Sequence, residues 1–385
     1  MSTNNDIFSD IRPYLDSEVH EVITQLLADN NFRKVVEPIV KPHTWEQFSA
    51  LLMQCKTKYD FQKNVVYPIM KRLIEKTTTE MNGSNWEYID KSKARLFISN
   101  HRDIVLDAAF FNILLFGNDS DTTEIAIGDN LLVYPWIEKL VRINKSFIVK
   151  RSVSVRQMLE VSGQLSNYIN DTINNRNQSI WLAQREGRAK DSNDKTQISL
   201  LKMLVLNNRA NPIDALKQLN ITPLSISYEY DPCDFLKAKE FQLKRDNSDY
   251  KKSQADDLEN MYTGIVEFKG RVNFNLGKPI NSQLIELPSE IGKSEILPAI
   301  ANIIDKEIYL NYTFYPINYV AYDLMTGSNN FNSKYNYEDK SKFEQYLNTQ
   351  IAKIDIPNKD FDFLRMKIIQ MYGNTVKSYL NIKES

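Results

Sequence analysis

Histidine and cysteine are the scarce residues of this chain: 385 positions hold three of the first and two of the second. Cys55 and Cys233 lie far apart, without CxxC or metal-ligand spacing. That excludes a disulfide scaffold, leaves no case for a structural zinc or any other metal, and fits a reducing compartment. An excess of one charge is missing too. Lysine and arginine number 48 against 49 aspartates and glutamates, so nothing in the global charge favours a nucleic-acid partner, and any anion site has to be local. No run approaches the ~20 apolar residues that span a bilayer; even 108–116 is short and carries Asn112. Met1 to Asp6 shows neither the basic nor the apolar region of a secretory leader. A soluble or peripheral protein is expected, without repeats or low-complexity tracts. With 42% hydrophobic residues it can bury a substantial core, as one large domain or two.

What is present changes character along the chain. Residues 1–85 carry helical spacing, with Val19, Val22, Ile23, Leu26 and Leu27 in one stretch and Val65, Val66, Ile69, Met70 and Leu73 in another. They predict a helical N-terminal module. Over 86–290 short apolar runs alternate with helical patterns. Strands are predicted at 95–99, 123–128, 146–150, 179–184 and 222–229, and helices at 104–116, 135–142, 154–175 and 196–207. In the third of these helices Val155, Met158, Leu159, Leu165, Tyr168, Ile169 and Ile173 share a face. Strands separated by helices imply an α/β domain with a mixed, largely parallel sheet flanked by helices. The charged stretch 238–260 reads as an exposed excursion, and 264–279 as a hairpin-like pair of strands. Residues 291–385 read as a helical C-terminal region.

His101 has two aspartates close by in sequence, in Asn100-His101-Arg102-Asp103 followed by Asp107. It falls on the loop leaving a predicted strand, where α/β proteins place reactive groups. Further strand ends carry Lys145, Lys150 and Arg151, then Glu186-Gly187-Arg188, then Thr222-Pro223. The competing reading for the basic residues is a solvated edge, with Glu186 pairing Arg151 or Arg188. Gly128-Asp129 reads as a strand exit, and Lys190 to Lys195 as a mobile polar loop.

Taken in order, these segments resemble the glycerolipid acyltransferase superfamily, within it the glycerol-3-phosphate and 1-acylglycerol-3-phosphate (lysophosphatidate) acyltransferases. The resemblance covers about 94–230. Asn100-His101 with Asp107 approximates the first motif, Phe147-Ile148-Val149 with Lys150-Arg151-Ser152 the second, Glu186-Gly187-Arg188 the third and Pro223-Leu224-Ser225-Ile226-Ser227 the fourth. Gly128-Asp129-Asn130-Leu131 also looks like the glycerol-3-phosphate branch. The chain departs from the pattern twice: five residues separate His101 from Asp107 where the family has four, and Arg188 follows Gly187 where a threonine is usual. Asp103 holds the position of the family's helix-capping serine, which leaves Asp107 turned about 100° further round an ideal helix. Asp107 is taken as the histidine's partner and Asp103 as its competitor.

The resemblance implies an O-acyltransferase in which His101 is the general base and Asp107 orients it, with no protein nucleophile and no cofactor. Lys150, Arg151, Glu186, Gly187 and Arg188 would bind the acceptor, an anionic lipid precursor such as glycerol 3-phosphate or lysophosphatidate. The donor would be an acyl carrier protein thioester, acyl-coenzyme A or an acyl phosphate. A cytoplasmic protein at the inner face of the cell membrane follows, docking through Lys139, Arg142 and Lys145 beside Leu132, Tyr134 and Trp136; an ordinary core helix accounts for that segment equally well. An aminoacyl-lipid acceptor and a non-catalytic lipid-binding scaffold of the same fold are the alternatives, with hydrolysis a weaker third.

Overall fold

In a computed structural model of the chain, which describes residues 6–151, 153–288 and 290–384, a seven-stranded sheet organises the molecule. Its strands are β1 (Glu80–Ser84), β2 (Leu96–Ser99), β3 (Glu124–Gly128), β4 (Ser146–Val149), β5 (Ile180–Ala183), β6 (Thr222–Tyr228) and β7 (Arg271–Leu276). They lie in the order β1-β7-β6-β2-β5-β3-β4. β2 to β6 run parallel, while β7 lies antiparallel to β6 and carries β1 parallel to itself at the edge. The architecture is the mixed, largely parallel α/β sheet expected.

The central strand shows why the elements form. All of β2 is buried, as in parallel strands covered on both faces. Leu96 and Ile98 enter one core with Ile180 and Leu182, while Phe97 enters the other with Trp181, following the two-residue side-chain period. The first core is closed by Leu165, Tyr168, Ile169 and Ile173 of the Val155–Asn174 helix and by the Ile296–Leu310 helix. The second is closed by Phe110, Phe111 and Leu115 of the Leu106–Gly117 helix.

The terminal regions are built into this frame. Ile11 belongs to the first core, and the N-terminal helices form a cluster completed by Trp136 and Ile143 of the Pro135–Ile143 helix. β1, inside the stretch that reads as helical, is a polar edge strand paired residue for residue with β7. The C-terminal helices Pro316–Thr326, Tyr337–Ala352 and Phe361–Glu384 make a further cluster that also takes in Ala238.

Three expectations are corrected. The stretch 264–270 forms no strand: Gly264 to Val266 end the Gln254–Val266 helix, capped at its start by Ser253 and Asp256, so β7 has no hairpin partner there. The charged stretch 238–260 is an excursion only in part: the Asp234–Asp246 helix buries Lys237, Ala238, Glu240 and Gln242, with Glu240 paired to Lys190 and Lys244, while 247–255 lie largely exposed. Met158 and Leu159 lie exposed on the first turns of their helix.

Candidate active site

The exits of β2, β3, β4, β5 and β6 share one edge of the sheet, and the site begins where β2 leaves it. Asn100 is fully buried and its side-chain amide replaces a ladder rung, donating to the Ile226 carbonyl and accepting from the Ile226 amide, each at 2.8 Å. The next residue is thereby released from the sheet. His101 Nδ1 lies 2.8 Å from Asp107 Oδ2, and its ring packs edge-on to Trp181 with centroids 5.7 Å apart. Its Nε2 has no hydrogen-bond partner among the described residues, and the side chain is 13% exposed.

The extra residue between His101 and Asp107 is absorbed before the helix starts. Ile104 and Val105 form a turn and the helix opens at Leu106, so Asp107 stands in its first turn and points back at the loop. Asp107 Oδ2 also accepts from the backbone amides of Arg102 at 2.6 Å and Asp103 at 3.1 Å. Asp103 therefore does not partner the imidazole. It is not the helix cap by position either, since Val105 is; its Oδ1 accepts from the Val105 and Leu106 amides at 2.9 and 2.8 Å, satisfying donors that a helix start leaves orphaned. Burial and the neighbouring Asp107 charge push the Asp103 carboxyl up from its ordinary range.

The loop is pinned from behind by groups with no motif-like spacing. Arg102 is buried and forms a 2.6 Å ion pair with Asp194, whose same oxygen accepts from Tyr312 at 2.8 Å. Lys237, also buried and paired with Asp231, donates to the Arg102 carbonyl at 3.0 Å. The expectation of a mobile polar loop at 190–195 is thus corrected: Asp194 is 1% exposed and its partner Arg102 lies 92 residues away in sequence.

The residues expected to bind the acceptor separate. The Arg151 amide donates to Asp129 at 3.1 Å, and its guanidinium pairs with Glu186 at 3.6 Å, joining the exits of β3, β4 and β5. Gly187 follows with φ +67°, where a side chain would be strained although the space is open. The Lys150 ammonium turns away to pair with Asp10. Arg188 is buried and donates to the Asn260 side-chain oxygen at 2.8 Å, with its other terminal nitrogen unpartnered among the described residues. These cations do not form one cradle; Arg151, Glu186 and Gly187 stay together at the edge. Ser152 lies outside the described residues.

The expected docking segment is largely structural. Trp136 is buried against Phe32, Arg142 is held by Glu138 and by the carbonyls of Ser9 and Arg12, and Lys145 by Asp121, Thr122 and Gln178. No helix among the described residues is long and apolar enough to cross a membrane, and none of their His, Cys, Asp and Glu side chains form a cluster able to hold a metal ion.

Compared by sequence, the chain matches no family model and no curated protein. Compared by structure, it is similar to the crystal structure of the 1-acyl-sn-glycerophosphate (LPA) acyltransferase PlsC from Thermotoga maritima, at 10% identity and a TM-score of 0.37, over 76% of this chain and 97% of that one.

Proposed function

We propose that the protein is an O-acyltransferase that uses His101 as general base. The observation that carries the reading is the 2.8 Å contact between His101 Nδ1 and Asp107, with Nε2 unpartnered among the described residues and the ring partly exposed at the sheet edge. A carboxylate on Nδ1 fixes the tautomer that leaves Nε2 basic and stabilises the imidazolium formed when a proton arrives. An acceptor hydroxyl placed at Nε2 gives up its proton as its oxygen attacks the acyl carbonyl. Collapse of the intermediate expels the donor's thiolate or phosphate, and the imidazolium gives its proton to the leaving thiolate or, with an acyl phosphate, to the departing phosphate or solvent.

The extra residue between His101 and Asp107 leaves this contact in place. The acceptor is a phosphorylated lipid precursor, glycerol 3-phosphate or lysophosphatidate, with Arg151 at the β4 exit as its anion contact. The donor is an acyl thioester or acyl phosphate, and the membrane association is peripheral.

A panel of acyl carrier protein, coenzyme A and phosphate donors, crossed with phosphorylated and aminoacylated acceptors, tests the proposal. Ester formation with a phosphorylated acceptor is expected. Transfer to aminoacyl lipid alone would replace the acceptor class, and lipid binding without transfer from any donor would leave only the scaffold.

A further inference from the structure

Asp107 spends one oxygen on three partners. Its Oδ2 faces His101 Nδ1 and two backbone amides, while Oδ1 is buried and has no partner among the described residues. The hydroxyl of Tyr228 is a second buried polar atom without a partner among the described residues. β6 runs parallel to β2 with Leu224 opposite Ser99, and Asn100 extends that pairing to Ile226. Tyr228, two residues further on, ends the strand level with the His101 loop. Its ring stacks on Phe110 at 6.5 Å and 28°, and Phe110 lies three residues after Asp107 on the same helix, so the two residues share a face. The phenol therefore lies on a surface that leads to the carboxylate.

We propose that Tyr228 is a positioning residue of the dyad: its hydroxyl donates to Asp107 Oδ1 and thereby governs how readily His101 takes up a proton. This rests on the reading of His101 as base. The phenol remains a donor throughout the useful pH range, because burial and then the Asp107 charge hold its ionisation far above the ordinary value. The other charged groups around the dyad are Asp103 on the same loop, Asp231 after β6, Arg188 after β5 and Lys269 before β7, with Lys237 reaching the Arg102 carbonyl. Tyr228 is the neutral donor of this set, and after burial the Asp107 charge acts on its phenol most strongly.

A donor on Oδ1 draws charge away from the carboxylate, so its removal makes Asp107 a stronger partner for the imidazolium. With only three histidines in the chain, the His101 imidazole is assigned by the signal lost in His101→Gln, and its protonation is followed by ¹⁵N NMR. Tyr228→Phe should raise the His101 midpoint by about half a unit to one unit, the worth of one ordinary hydrogen bond. It should lower kcat about three- to tenfold at pH values well below the parent's midpoint, by keeping more of the base protonated, with both KM values unchanged. Placing 3-fluorotyrosine at 228, a stronger donor, should move the midpoint down. In an Asp107→Asn background Tyr228→Phe should shift nothing.

An unmoved midpoint in both Tyr228 variants, or an equal shift in the Asp107→Asn background, would overturn the inference and reduce Tyr228 to core packing. The titration needs no turnover. A coupled shift in a protein that transfers no acyl group keeps the Tyr228 contact and removes the proposed function, whereas turnover with an unmoved midpoint does the reverse.

Discussion

Gly264 lies directly against the Asp103 carboxylate, closer than any side-chain carbon could approach, so the Gln254–Val266 helix and the His101 loop meet at a point that excludes a Cβ. Asp103 is held from one side by this helix and from the other by the Val105 and Leu106 amides. Gly264→Ala should destabilise by about 1 to 3 kcal/mol through overpacking and should lower turnover, since the displaced carboxylate carries the loop with it. Asp103→Ala alone should cost about 0.5 to 2 kcal/mol. Because that truncation makes room for the methyl group, the double variant should lose less than the sum of the two. Denaturant unfolding of the four proteins measures the coupling.

The two arginines expected to share one ligand should respond differently. Arg151→Ala should weaken acceptor use about ten- to a hundredfold, the worth of a charge-assisted bond, with stability changed by less than about 0.5 kcal/mol. Arg188→Ala should destabilise by about 1 to 3 kcal/mol, because the buried Asn260 side-chain oxygen loses its donor. Acceptor KM and urea midpoints for both variants separate the roles, and a large KM effect confined to Arg188→Ala would exchange them.

Asp234 supplies a pH signature of its own. It is fully buried, accepts from Tyr346 at 2.6 Å and Tyr372 at 2.8 Å, and is pushed up to about 7 by burial and by the adjacent Asp231. The unfolded chain releases this proton near 3.8 and the folded one near 7, so between those values the folded state binds more protons and stability falls as pH rises. Asp234→Asn keeps the acceptor and removes the charge. Urea midpoints should show it gaining on the parent protein at pH 8 and not at pH 4, with a residual slope of the same sign from Asp305, pushed up to about 6.

The sheet was legible because its buried strands are short apolar runs with a two-residue period, and β2, β3, β4, β5 and β6 fall where that pattern puts them. β1 was not, since Glu80 to Ser84 is a polar edge held by backbone pairing to β7. Ile265, Val266 and Phe268 carry a strand-like alternation, but the Ser253 cap and the contact at Gly264 keep 254–266 helical. At the site, the residue types around His101 pointed to a dyad. Which acid completes it depends on where the following helix begins, and a turn at Ile104 and Val105 decides that. Asp194, Lys237 and Tyr312 gave no local signal, because each acts on the His101 loop from a distant part of the chain. The Lys150 partner, Asp10, lies 140 residues away.

Acyl transfer by His101→Ala tests the central claim most directly. His101 lies on a loop fixed by Asn100, Arg102 and Asp103, so the variant should fold, retain the parent's circular dichroism and lose about 10² to 10⁴ of kcat, the usual worth of a positioned base. A folded His101→Ala protein that turns over at the parent's rate would contradict the account.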